Sequence, residues 1–159
     1  MNKTPLTKRG AHLLSTELHR LKTIERPNVI RSIAEARAQG DLSENADYDA
    51  AKERQGFIEG RIKELESKLS TAQIIDPTLL DLEENKIVFA ATVKLKEMET
   101  DKEVSYQIVG DDEANIDEGL ISISSPVARA LIGKKAGETT TVKAPNGDRE
   151  YEILKVLYV

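Results

Sequence analysis

The sequence predicts an α+β protein: an N-terminal antiparallel α-helical coiled-coil hairpin followed by a small antiparallel-sheet domain with one short helix. Three observations carry this. Leu14, Leu18, Leu21 and Ile24 step by four, three and three, and Ile58, Ile62, Leu65, Leu69 and Ala72 step by four, three, four and three. Both runs are heptad-like seams. After Asn85 the apolar period changes from near 3.5 to near 2, the period of a half-buried strand. Finally, residues 125–133 carry the start and stop chemistry of a short helix.

The first arm begins at Thr7, a residue type suited to an N-cap, and runs to about Arg26. Pro27 either kinks the arm or restarts it as a first-turn residue. The helix resumes through Ile30 and Ile33 to about Gln39, with Gly40 as its stop. The second arm runs from about Glu44 to Gln73 and ends at Asp76-Pro77. A fold-back near residue 43 places Leu18 opposite Leu69, Leu21 opposite Leu65, Ile24 opposite Ile62 and Val29 opposite Ile58. Gly56 and Gly60 are expected to let the helices approach closely. Their charged neighbours Arg54, Glu59, Arg61 and Lys63 exclude a membrane dimer motif.

Strands are expected over 86–95, 104–109, 120–123, 139–143 and 151–157, each β-branched or aromatic-rich. Ser125 caps the short helix, Pro126 fills its first turn and Gly133 closes it. Asn146-Gly147 is a hairpin turn. The boundary falls at 76/77, giving a hairpin over 1–76 and a sheet domain over 77–159.

Composition narrows the function. The chain has 159 residues, six aromatics, no Trp and no Cys. Thiol catalysis, disulfides and Cys-based zinc sites are therefore excluded. No apolar run approaches the ~20 residues that span a bilayer, and the N-terminus lacks a signal-peptide stretch. A cytoplasmic protein without a membrane partner is expected. Residues 1–76 carry a net charge of +1 and residues 77–159 a net of −6. Such an acidic balance suits a protein that reaches nucleic acid through a partner or a local basic patch.

The fold-back itself, Gly40-Asp41-Leu42-Ser43-Glu44-Asn45-Ala46-Asp47-Tyr48 (40–48), carries the chemistry. Asp41-x-x-Glu44 matches a capping box, yet it lies at the outermost point of the hairpin, with Asp47 and Asp49 following. At ~1.5 Å per residue an arm from residue 10 to 43 reaches roughly 50 Å. Acids at that distance have no pocket of their own, but they suit insertion into another macromolecule's cavity. Two carboxylates leave most positions around a Mg²⁺ ion to other ligands. Arg37 and Lys52 flank the tip on opposite arms. They read either as solvated faces paired with Asp49 or Glu53, or as a patch that guides a phosphate backbone. His12 and His19 share a helix face with no further ligand nearby, so no metal site is expected there.

The tip run resembles the motif of the Gre transcript-cleavage factors of bacterial RNA polymerase. The resemblance continues in Thr7-x-Arg9-Gly10, Arg26-Pro27, Glu59-Gly60-Arg61-Ile62, Ile108-Val109-Gly110-Asp111-Asp112-Glu113-Ala114 and residues 125–133, and it covers essentially the whole chain. Ile33-Ala34-Glu35-Ala36-Arg37 and the modest basic patch are closer to the GreA than the GreB branch. The resemblance implies a C-terminal domain similar to FK506-binding prolyl isomerases that docks on the polymerase at the rim of its secondary channel, and a hairpin that enters the channel. It implies a monomeric elongation factor that is not itself an enzyme. Asp41 and Glu44 would hold the second catalytic Mg²⁺, shared with the polymerase, and its attacking water. The 3′ end of backtracked nascent RNA would then be cleaved endonucleolytically. By position the basic patch is Arg37 and Lys52, and the docking loop is Ser124, Ser125 and Pro126. Two other classes compete. A prolyl isomerase needs an aromatic pocket, and residues 77–159 offer only Phe89, Tyr106, Tyr151 and Tyr158. A channel-binding regulator without cleavage activity would need the tip acids lost or redirected.

Overall fold

The computed structural model describes residues 3–39, 45–80 and 85–159. The chain divides into two units, Met1–Thr4 with Ala11–Ala72, and Pro5–Gly10 with Gln73–Val159. Strand β1 (Thr4–Thr7) leads into helix α1 (Lys8–Arg20), a π-helical turn over Leu21–Glu25, α2 (Arg26–Gln39), α3 (Asn45–Ser70) and β2 (Ala72–Ile75). A 3₁₀ turn at Pro77–Leu79 follows, with Asp76 as its N-cap accepting from the Thr78 N–H. Then come β3 (Thr92–Glu97), β4 (Glu103–Val109), β5 (Leu120–Ser122), α4 (Pro126–Leu131), β6 (Thr139–Val142) and β7 (Arg149–Leu157). The arrangement is α+β, as the two apolar periods require.

In the helical unit Leu14, Leu21, Val29, Ile58, Ile62 and Leu65 are buried along the seam. Leu18 and Leu69 are half-buried. Ile24 is the exception: it is 52% exposed, so the expected pairing with Ile62 fails. The cause is the π turn, in which the Arg26 N–H bonds to the Leu21 carbonyl, five residues back. Each such turn holds one residue more than an α turn. The seam therefore steps by eight, from Leu21 to Val29, and Ile24 rotates out. Pro27 explains why the turn is here. Its ring would clash with the carbonyl four residues back and cannot bond to it, and the wider turn absorbs both faults.

Ion pairs flank the seam. Arg61 forks onto Glu17 at 2.7 and 3.0 Å, and Arg26 forks onto Glu59 at 2.8 and 2.7 Å. Arg54 reaches Glu25 at 3.0 Å and Lys22 reaches Glu66 at 3.1 Å. The hydrogen bond from Arg61 holds Glu17 below its ordinary pKa of 4.5. Arg26 does the same to Glu59, and Lys68 with Arg61 to Glu64. A folded pKa below the unfolded one favours folding while the carboxylate is ionised. That contribution is whole above the ordinary value and disappears as pH falls through the lowered one. The helical thermal midpoint should thus fall on acidification below about pH 5. In Arg61→Met the fall should be shallower, as thermal melts followed by circular dichroism at each pH would read.

Gly56 and Gly60 do not bring the helices together. A Cβ at either position meets nothing within 4 Å. They lie on the outer face of α3, and the expected close approach is corrected accordingly. Gly10 is the opposite case, within the sheet unit. Thr7 is the N-cap of α1, its Oγ1 accepting from the Gly10 N–H at 2.9 Å. The same hydroxyl donates to the Glu113 carboxylate, which is buried. Arg9 lies 3.8 Å from the second Glu113 oxygen, which has no hydrogen-bond partner among the described residues. A Cβ on Gly10 would sit 2.5 Å from Glu113 Oε1. Ala substitution in helices should therefore change sign with position. Gly56→Ala and Gly60→Ala should stabilise by about 0.5–1 kcal/mol each through propensity. Gly10→Ala should destabilise by about 1–3 kcal/mol, because the buried carboxylate loses its partner. Urea unfolding of the three variants measures this.

The sheet unit has five strands in the order β5-β4-β3-β7-β6, all pairs antiparallel except β4 with β5. Ile87, Val93, Leu95, Ile108, Leu131 and Ile153 fill its core at 0% exposure. The expected strand over 86–95 is shorter than its composition suggests and begins at Thr92. Ala90 has φ +75°, a left-handed conformation that ends any extended run. The segment before it still enters the core, and Tyr158 OH donates to the Lys86 carbonyl at 2.6 Å. β1 and β2, which the sequence reading left out, pair as a separate two-stranded sheet. Ser125 caps α4, accepting from the Ala128 N–H at 3.2 Å, and Gly133 follows at φ +91°.

Candidate functional site

Two regions bear the residues singled out by sequence. The first lies where α2 ends and α3 begins. Arg37 is in the last turn of α2 and Asp47 in the first turn of α3, charges that suit the two helix dipoles. The Arg37 guanidinium lies over the Tyr48 ring, 5.7 Å from its centroid, and its Nη2 is 3.5 Å from the phenol oxygen. The Arg37 hydrogen bond and charge lower the Tyr48 pKa, and Lys52 adds to the effect. Tyr48 is half-buried. Lys52, one turn on and so on the same helix face, donates to Gln55 Oε1 at 3.2 Å.

Neither cation pairs with Asp49 or Glu53, and among the described residues neither has an acidic partner. The solvated cross-arm pairing is thus replaced by an arginine set against a tyrosine and a lysine tied to an amide. The Tyr48 contact engages only Nη2 of a guanidinium that carries five N–H donors. Tyr48 is the residue that sequence reasoning missed as a partner of Arg37. Both Asp41 and Glu44, with Leu42, lie outside the described residues, as does the capping box. Among the described residues no group of three or more His, Cys, Asp or Glu could hold a metal ion.

The second region is the loop from β5 to α4. Ser124 and Pro126 are exposed, whereas Ser125 is half-buried with its hydroxyl engaged as the cap. Ser122 and Ser124 both turn their hydroxyls toward Asp111, which stands on the turn after β4. The sequence reading gave Asp111 and Ser122 no role. No helix among the described residues is long and apolar enough to cross a membrane.

Comparison with known proteins supplies the context. A family model described as transcription elongation factor, N-terminal, matches residues 4–74. A second, transcription elongation factor, GreA/GreB, C-terminal, matches residues 82–158. A protein of Ralstonia nicotianae named transcription elongation factor GreA is 65% identical over 100% of both chains. Proteins of the same name from Thioalkalivibrio sulfidiphilus and Neisseria meningitidis serogroup A are 64% and 62% identical, again over the full length of each. Among solved structures, GreA factor homolog 1 of Thermus thermophilus is 28% identical, covering 98% of this chain and 99% of that one, with a TM-score of 0.46.

Proposed function

Because this chain belongs to the GreA/GreB family of transcription elongation factors along both halves of its length, we propose that it acts inside the secondary channel of RNA polymerase. There it stimulates endonucleolytic cleavage of backtracked nascent RNA. The chain is an elongation factor, an accessory to the polymerase rather than an enzyme, and RNA polymerase is its partner. The observation that carries the finer reading is the full-length identity of 59–65% to its relatives, combined with an acid pair at the fold-back of a long hairpin.

The chain's own residues would divide the work. Ser124, Ser125 and Pro126 dock at the channel rim. Arg37 offers a fork and Lys52 a point charge to the phosphates of the RNA 3′ segment. Asp41 and Glu44 would present hard carboxylate oxygens, the donor type that Mg²⁺ takes, and would leave the other positions to polymerase acids, phosphate and water. When bound, the ion supplies an activated water for in-line attack on the phosphodiester. Asp41 and Glu44 would be the residues of this chain that hold the ion and orient that water. The protein works as a cytoplasmic monomer in this reading.

The test is a stalled, backtracked elongation complex incubated with and without the protein. Appearance of short 3′ RNA fragments only with the protein supports the reading. Resumed elongation with no fragments would favour a cleavage-independent channel regulator. A companion result is expected for the free protein. Two carboxylates cannot close a Mg²⁺ shell, so calorimetry should register at most millimolar affinity, on the order of extracellular oxygen-ligand sites, and naked RNA should stay intact. A tight site on the free protein would overturn the shared-metal reading.

A further inference from the structure

Asp111 is exposed, stands outside the docking loop and has no part in the chemistry above. It is nevertheless the point on which that loop converges. Ser122 Oγ donates to Asp111 Oδ1, and Ser124 Oγ donates to the same oxygen at 2.8 Å. The Ser124 N–H donates to Ser122 Oγ at 3.1 Å. Each hydroxyl has one proton. The two hydroxyls also lie 2.8 Å apart and either can donate to the other, so two protons are shared among three contacts around Asp111 Oδ1. A carboxylate can accept both, and its charge strengthens each bond. The backbone completes the frame: the Ile123 N–H bonds the Val109 carbonyl at 2.9 Å and the Ser125 N–H bonds the Ser122 carbonyl at 3.0 Å.

We propose that Asp111 is a positioning residue for polymerase binding, which holds Ser122 and Ser124 so that the loop through Pro126 is preset in its docking conformation. The inference rests on the assignment of that loop to docking. Water can replace each bond only in part, so their sum is modest: enough to order a loop, too little to hold the fold. What they remove is the freedom of the loop. A binding surface that must first order itself has its affinity reduced by the fraction of time it is competent.

The experiment uses the full chain and a backtracked polymerase complex, reading the half-saturating concentration for cleavage separately from the rate at saturation. Asp111→Ala should raise the half-saturating concentration about tenfold, the effect of a competent fraction reduced to about one tenth. The saturated rate should stay at the wild-type value, and the loss of unfolding free energy should not exceed about 1.4 kcal/mol, the equivalent of that tenfold change. Asp111→Asn keeps an acceptor without the charge and should have a smaller effect. Ser122→Ala, outside the docking set, should weaken binding alone and should add nothing to Asp111→Ala, since coupled residues lose a shared interaction once. Pro126→Glu, on the exposed first turn of α4, tests the docking assignment itself. Weakening by Pro126→Glu with none by Asp111→Ala overturns the positioning role and leaves docking standing. Wild-type half-saturation in both variants overturns the docking assignment beneath it. A lowered saturated rate in Asp111→Ala, or a loss of unfolding free energy well beyond that equivalent, would also overturn the role, since either marks a catalytic or structural defect.

Discussion

Replacing Asp41 or Glu44 by Ala should lower stimulated RNA cleavage by about 100-fold or more while polymerase binding changes little. Residues that merely support a metal ligand are worth about 10–100-fold when removed, and a residue that holds the ion directly is worth at least as much. The two acids also match a capping box, and loss of a cap costs about 1–2 kcal/mol at most. The α3 helix has its own burial to hold it, with Ile58, Ile62 and Leu65 at 7% exposure or less, so the variants should remain folded. Binding should survive because docking is assigned to the loop at 124–126. Competition against wild type for the polymerase reads binding, and fragment release from a backtracked complex reads cleavage. Wild-type cleavage rates in both alanine variants would show that the acids do not hold the ion.

Shortening the hairpin should be as damaging without touching a single tip residue. Removal of one heptad from each arm, at matched levels of the seam, retracts the tip by about 10 Å at 1.5 Å per residue. A metal ligand or a catalytic water tolerates only a fraction of that, since reacting atoms sit ~3 Å apart. The deletions must spare the π turn over Leu21–Glu25. Removing it would return the seam to a seven-residue step and expose Val29. They must also spare Arg37 and Lys52. Binding at wild-type strength together with lost cleavage is the expected pair of results. A shortened hairpin that still stimulates cleavage would mean the tip acids are not delivered to the scissile bond.

Much of this protein is written in its apolar spacing and punctuation. The seams from Leu14 and from Ile58 specify two helices that fold back on each other, because burial at i, i+3, i+4 and i+7 has few other solutions. Ser125, Pro126 and Gly133 specify α4 locally, through a cap, a preset φ and a left-handed stop. Arg37 and Lys52 fall on the two helices that flank the fold-back, as their distance from a mirror point in the sequence requires; Asp41 and Glu44 lie outside the described residues. Other features depend on groups distant in the chain. The exposure of Ile24 follows from a turn in which one hydrogen bond skips a residue, and heptad counting assumes that none does. Ala90 adopts φ +75° inside a segment whose composition reads as strand, since tertiary packing overrides local propensity. β1 and β2 pair across more than sixty residues, and neither is long enough to announce itself. Glu113 is buried against Thr7, and Asp111 gathers Ser122 from the end of the next strand and Ser124 from just beyond it. Only the packed sheet unit decides which carboxylate meets which hydroxyl, because a hydrogen bond needs its partners within about 3 Å and sequence separation says nothing of that distance.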